Sequence, residues 1–109
     1  MNYYEEAACN AFNPIRENPI ILDLKGCQTL GEIHLLLKQK FGLPEYYGEN
    51  WDALWDCLDG LFVGQGDYLV KILHFHSLPQ GLRQECIKML LVFDDVHSTT
   101  PNFAFELVS

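Results

Sequence analysis

The hydrophobic pattern changes period along the chain, and each change predicts an element. Between Pro19 and Lys25-Gly26 lies the short apolar run Ile20-Ile21-Leu22-Asp23-Leu24. Its length, its branched residues and its flanking breakers predict a buried strand. Leu30, Ile33, Leu37 and Phe41 then recur at helical spacing until Gly42 and Pro44 interrupt them, which predicts an amphipathic helix. Thr29, with Glu32 three positions on, has the form of a capping box for that helix. Tyr46-Tyr47-Gly48-Glu49 reads as a loop, and Asn50 as the N-cap of a second helix from Trp51 to about Phe62, with Gly60, Gly64 and Gly66 at its exit. Asp67 to Phe75 alternates as a strand does. Pro79 opens a third helix to about Val96, with Leu82, Cys86, Met89, Leu90 and Phe93 on its apolar face. After Thr99-Thr100-Pro101, Phe103 to Val108 predicts a closing strand.

Strands separated by helical crossovers of a dozen or more residues imply a parallel sheet, because a short hairpin cannot connect parallel neighbours. The expected fold is a small α/β domain with a three-stranded parallel sheet packed against helices, spanning residues 19–109. Residues 1–18 fall outside the pattern, and Asn13-Pro14 and Asn18-Pro19 predict an extended arm there. A chain of 109 residues, 49% hydrophobic, can bury one core and is too short for two ordinary domains. No apolar run approaches the length of a bilayer span. The start, MNYYEEAACN, carries acids where a secretory signal carries bases, so a cytoplasmic location is expected. Cys9, Cys27, Cys57 and Cys86 are scattered without a CxxC pair or zinc-ligand spacing. They are read as reduced thiols, Cys57 as a small core residue, and no metal or other cofactor is expected. His34, on the first helix without a partner acid or nucleophile beside it in sequence, is read as an ordinary surface or boundary residue.

Charge adds a direction. With 15 acids against 7 bases the net charge is −8, which argues against direct nucleic-acid binding and favours a basic partner, although acidity can also serve solubility alone. Position discriminates between the two. On the second helix Asp52, Asp56 and Asp59 fall within an arc of roughly 60°, while Trp51, Leu54, Leu58 and Leu61 occupy another side and Trp55 sits between. Asp52 suits the helix N-terminus, but Asp56 repels it at a cost of about 0.2–0.5 kcal/mol, and Asp59 sits at the unfavourable end. Aspartate is also a poorer helix former than glutamate. Stability alone does not select this face. Short carboxylates beside an aromatic anchor suit a cluster of arginines and lysines.

The stretch Leu43-Pro44-Glu45-Tyr46-Tyr47-Gly48-Glu49-Asn50, continued by Asp52-Ala53-Leu54-Trp55-Asp56-Cys57-Leu58, resembles the signature of the barstar family of intracellular ribonuclease inhibitors. The resemblance extends more loosely from Ile20 to the C-terminus. It implies a bacterial immunity protein, monomeric before complex formation, that performs no chemistry. The second helix and the loop before it would plug the active site of a basic ribonuclease or nuclease toxin domain, with Tyr46, Asn50, Asp52, Trp55 and Asp56 at the matching positions. Asp56 would take the place of an RNA phosphate among the enzyme's cations. Asp52 would add a second pair, and Tyr46 would cover a catalytic histidine. Trp51 and Asp59, which stand where the family's prototype has a leucine and a threonine, are counted with this partner-binding face. So is Asp95, at the position of a prototype glutamate. The aromatic residue that the prototype carries just after the helix glycine is Leu61 here.

Two other classes fit parts of the pattern. Asp52, Asp56, Asp94 and Asp95 are oxygen donors of the kind that hold magnesium or manganese for hydrolysis, but no nucleophile or phosphate-cradling loop accompanies them. A non-inhibitory adaptor could use the same acidic face on another basic protein. Enzymatic turnover and membrane association are both unexpected.

Overall fold

The computed structural model describes residues 12–108. Its element order is β1 (Ile20–Asp23), α1 (Leu30–Phe41), α2 (Trp51–Leu58), β2 (Tyr68–Leu73), a 3-10 turn (Phe75–Ser77), α3 (Gln80–Thr99) and β3 (Phe103–Val108). The three strands form one sheet in the order β1-β2-β3, and both pairings are parallel. This is the expected small α/β architecture.

The sheet is two-faced. Ile20, Leu22, Val70, Ile72 and Phe103 are fully buried on one face, whereas Ile21, Lys71, Leu73 and Ala104 are only half-buried and Glu106 is exposed. Lys71 and Glu106 lie opposite each other in the β2–β3 register on the open face, with Nζ and Oε1 3.8 Å apart. α1 packs on β1, α3 on β3, and α2 on α3. The centre of the core is aromatic: Phe41, Phe62, Phe93 and Phe103 are all buried, with Phe62 stacked on Phe103 at 4.9 Å between ring centroids. Such a close-packed cluster collapses poorly around a deletion, so truncating one ring to alanine costs about 3–5 kcal/mol.

α1 forms as its capping residues dictate. The Thr29 hydroxyl oxygen accepts from the Glu32 N–H at 3.2 Å, and the Glu32 carboxylate accepts from the Thr29 hydroxyl at 3.1 Å and the Gln28 N–H at 3.4 Å. At the other end Gly42 takes a left-handed conformation, φ +64°, and the Leu43 N–H returns to the Lys38 carbonyl. A Cβ at Gly42 would run into the Asn13 carbonyl, because the N-terminal segment docks there through a bond from Asn13 N–H to the Gly42 carbonyl. Residues 12–18 carry neither helix nor strand. Phe12 and Ile15 pack against the core, and the Asn18 side chain bonds the Asp67 carbonyl and the Leu69 N–H beside β2. The earlier part of the expected arm, residues 1–11, lies outside the described residues.

Three boundaries differ from expectation. α2 ends at Leu58 rather than near Phe62, because Gly60, φ +86°, turns the chain; a series of turn bonds, Leu61 N–H to Leu58 and Gln65 N–H to Phe62, buries Phe62 without helix. β2 stops at Leu73, since His74 adopts φ +63° and opens the 3-10 turn that buries Phe75. α3 runs three residues beyond Val96, to Thr99.

Candidate functional site

The loop before α2 and the helix itself sort their side chains into two sets. Asn50 caps α2: its Oδ1 accepts from the Ala53 N–H at 2.7 Å, and its Nδ2 donates back to the Gly48 carbonyl at 3.2 Å. These two hydrogen bonds fold the loop onto the helix start. Glu49 stands between them at φ +51°, a left-handed conformation that costs a residue with a Cβ about 1 kcal/mol. The adjacent tyrosines separate: Tyr47 is 6% exposed and enters the core, while Tyr46 is 65% exposed.

α2 continues the division. Leu54 and Leu58 are fully buried, Ala53 and Cys57 half-buried, and Asp52 and Asp56 exposed, with Trp55 39% exposed beside them. The structure thus brings Tyr46, Asn50, Asp52, Trp55 and Asp56 onto one short, exposed loop-and-helix segment. Asp59 is exposed too, but it is not a helical residue as expected. It is the C-cap, in extended backbone, so only Asp52 and Asp56 share the helical stripe. Asp95 is exposed on α3, which packs against α2, but no bond joins it to the α2 acids. Trp51 is half-buried and packed against the core, so it supports the exposed face from below.

Among the described residues, no side-chain hydrogen bond or ion pair engages Asp52, Asp56 or Asp59. Of the other helical acids, Glu32 is engaged by the capping box and Glu85 by Lys88 at 3.2 Å, whereas the Asp94 and Asp95 carboxylates of α3, like those of α2, have no side-chain partner among the described residues. Burial, helped by the Asp56 carboxylate, pushes the Cys57 thiol above its ordinary pKa. The Cys86 thiol is pushed up to about 11, chiefly by burial. Both therefore stay protonated near neutrality, which suits packing more than nucleophilic attack. Cys27, Cys57 and Cys86 are free thiols, and Cys9 lies outside the described residues. No group of three or more His, Cys, Asp or Glu side chains among the described residues is arranged to hold a metal ion. No described helix is long and apolar enough to cross a membrane.

His34 overturns the reading of it as a surface or boundary residue. It is 1% exposed, and its Nδ1 lies 2.7 Å from the Tyr47 hydroxyl under the ring of Trp51. Its partners come from positions 13 and 17 residues later, so helix spacing alone gave no sign of them. Glu85 was missed likewise; it accepts the Trp51 indole N–H at 3.0 Å and ties α3 to the start of α2.

A three-stranded parallel sheet with a capped acidic helix held outward over an aromatic core defines a small α/β domain. The barstar family, described as barstar (barnase inhibitor), matches residues 18–108, and this chain belongs to it. The chain is also 49% identical over 41 residues to the protein of Bacillus subtilis (strain 168) named "Putative ribonuclease inhibitor YrdF". That stretch covers 38% of this chain and 45% of the relative, so the match spans less than half of either.

Proposed function

We propose that this protein is an intracellular inhibitor of a basic ribonuclease, an immunity protein whose Tyr46–Asp56 segment enters the enzyme's active site. The observation that carries the reading is the pair of exposed carboxylates of Asp52 and Asp56, without a side-chain partner among the described residues, beside the exposed rings of Tyr46 and Trp55 on a segment whose opposite side is locked into the core. A ribonuclease binds RNA phosphate with cations, and a carboxylate held at fixed distance from an aromatic ring offers those cations the same charge. Asp56 is the central group in this reading, Asp52 adds a second pair, and Asp59 and Asp95 extend the negative field around them. The family's description and the relative's printed name both speak of ribonuclease inhibition.

RNA cleavage by a barnase-type ribonuclease, titrated with this protein, tests the reading. Cleavage is expected to fall to background near one equivalent, and the protein alone to cleave nothing with or without magnesium. Full cleavage at tenfold excess, or metal-dependent turnover abolished by Asp56→Ala, would contradict it.

A further inference from the structure

Beneath the presented segment lies a buried polar group that the acidic face does not use. His34 of α1 bonds the Tyr47 hydroxyl through Nδ1, and its Nε2, fully buried, has no hydrogen-bond partner among the described residues. The Trp51 ring covers it, with centroids 4.5 Å apart and planes inclined by 43°. Trp51 in turn donates its indole N–H to Glu85 Oε1, and Glu85 is held by Lys88. The first residue of α2 is therefore gripped from α1 on one side and α3 on the other. The same imidazole anchors the tyrosine next to exposed Tyr46.

The surrounding groups oppose one another. Burial disfavours a charged ring and lowers the His34 pKa below the ordinary histidine value, while the carboxylates of Glu49, from the loop, and Glu85, from α3, pull it upward by less. In the tautomer that donates its Nδ1–H to the Tyr47 hydroxyl, the neutral ring leaves Nε2 unprotonated. The imidazolium adds an N–H at Nε2, which faces no acceptor among the described residues. A buried cationic donor left unpaired is among the costlier defects a fold can hold. Contact with water relieves it, and Trp51 is the lid in the way.

We propose that Trp51 is a proton-controlled clamp: neutral His34 holds the first turn of α2 and the Tyr46–Glu49 loop in place, and protonation of His34 lifts Trp51 and loosens both. His34, Trp51 and Glu85 are then positioning residues for the presented face. The further consequence, weaker capture of the nuclease in acid, rests on the inhibitor reading; the clamp does not.

The free protein, followed by NMR from pH 8 to pH 5, tests the clamp. The His34 imidazole is expected to titrate below the ordinary value of about 6.5, with the Trp51 indole N–H shifting and exchanging faster over the same range. Glu85→Gln keeps an acceptor for the indole but removes a charge, and should move that midpoint lower. Trp51→Leu, which introduces the prototype's residue, should raise it toward the ordinary value by uncovering the ring. A Trp51 signal that ignores the His34 titration, or a His34 midpoint unchanged in Trp51→Leu, would overturn the clamp. Affinity for a barnase-type ribonuclease at pH 7.5 and pH 5.5 tests the consequence. The wild type should lose more on acidification than Trp51→Leu, by up to about tenfold per pH unit for one linked proton, and equal losses would refute the coupling. If neither protein binds at any pH, the inhibitor reading fails while the NMR titration still decides the clamp.

Discussion

α1 and α2 start alike and finish differently. Each has a polar N-cap whose side chain accepts from the third helical N–H, Thr29 in one and Asn50 in the other. α1 then follows helix electrostatics, with Glu32 in its first turn and Lys38 and Lys40 in its last, and its lysines pair with Glu45 at 3.0 Å and Glu17 at 2.6 Å. α2 has Asp52 in its first turn, no base in its last, and acids at Asp56 and Asp59 without side-chain partners among the described residues. The charges of α1 favour its own stability and those of α2 do not, which is the pattern the proposed inhibitor reading expects of a helix that meets a partner. Like-charge neighbours and an anion at a helix C-terminus each cost a few tenths of a kcal/mol up to about 1 kcal/mol, which the buried Leu54 and Leu58 can readily offset.

The contrast can be broken at several points, the largest effect first. Leu54→Ala removes a fully buried side chain and should cost about 2–5 kcal/mol in denaturant melts, with binding lost through unfolding. A loss under about 1 kcal/mol would mean that α2 is not anchored through this face. The two caps come next: Thr29→Ala and Asn50→Ala should each cost about 1 kcal/mol of stability. Asn50→Ala should also impair binding, since it frees the loop carrying Tyr46, whereas Thr29→Ala should not.

Acid should weaken the fold in two stages. His34 is depressed by burial, so the unfolded chain binds the proton more readily. Its contribution is whole above about pH 6.5 and is lost as pH falls from there through the lower folded value. Glu17 and Asp23 are also depressed, Glu17 first by its Lys40 hydrogen bond and Asp23 first by the Lys25 N–H. Their contributions persist until the pH drops below about 4 and vanish through their folded values. Melts at stepped pH should show the earlier loss disappear in His34→Asn if that variant folds. The smallest effect is that of Asp56→Ala on stability, a change within about 0.5 kcal/mol and towards stabilisation, because a like-charge neighbour and a weak helix former are both removed.

Much of this was legible in the sequence because it was local. The Thr29–Glu32 capping box, the Asn50 cap, the apolar faces of α1 and α3 and the strand at Phe103–Val108 all depend on residues within a turn or two of each other. The parallel sheet followed from the crossover lengths. What escaped was set by distant contacts. Phe62 kept the helical apolar spacing of Leu54, Leu58 and Leu61, yet Gly60 turns the chain before it. His34 looked like a surface residue on α1 until Tyr47 and Trp51 closed over it. The exposure of Tyr46 against the burial of Tyr47 could not be read from two adjacent tyrosines, since it depends on how Asn50 folds the loop back.

The central claim is that Asp56 on α2 exists to meet a partner's cations, and affinity for a barnase-type ribonuclease, measured for three proteins under one condition, tests it most directly. Asp56→Ala should bind at least about thirtyfold more weakly than wild type, the range known for truncating one member of a desolvated interfacial charge pair, to which the barnase–barstar pair itself contributed. Glu106→Gln, which removes an exposed charge from the open face of the sheet, should bind as wild type does. Equal affinities for all three would contradict the claim, as would a loss for Asp56→Ala matched by an equal loss of stability.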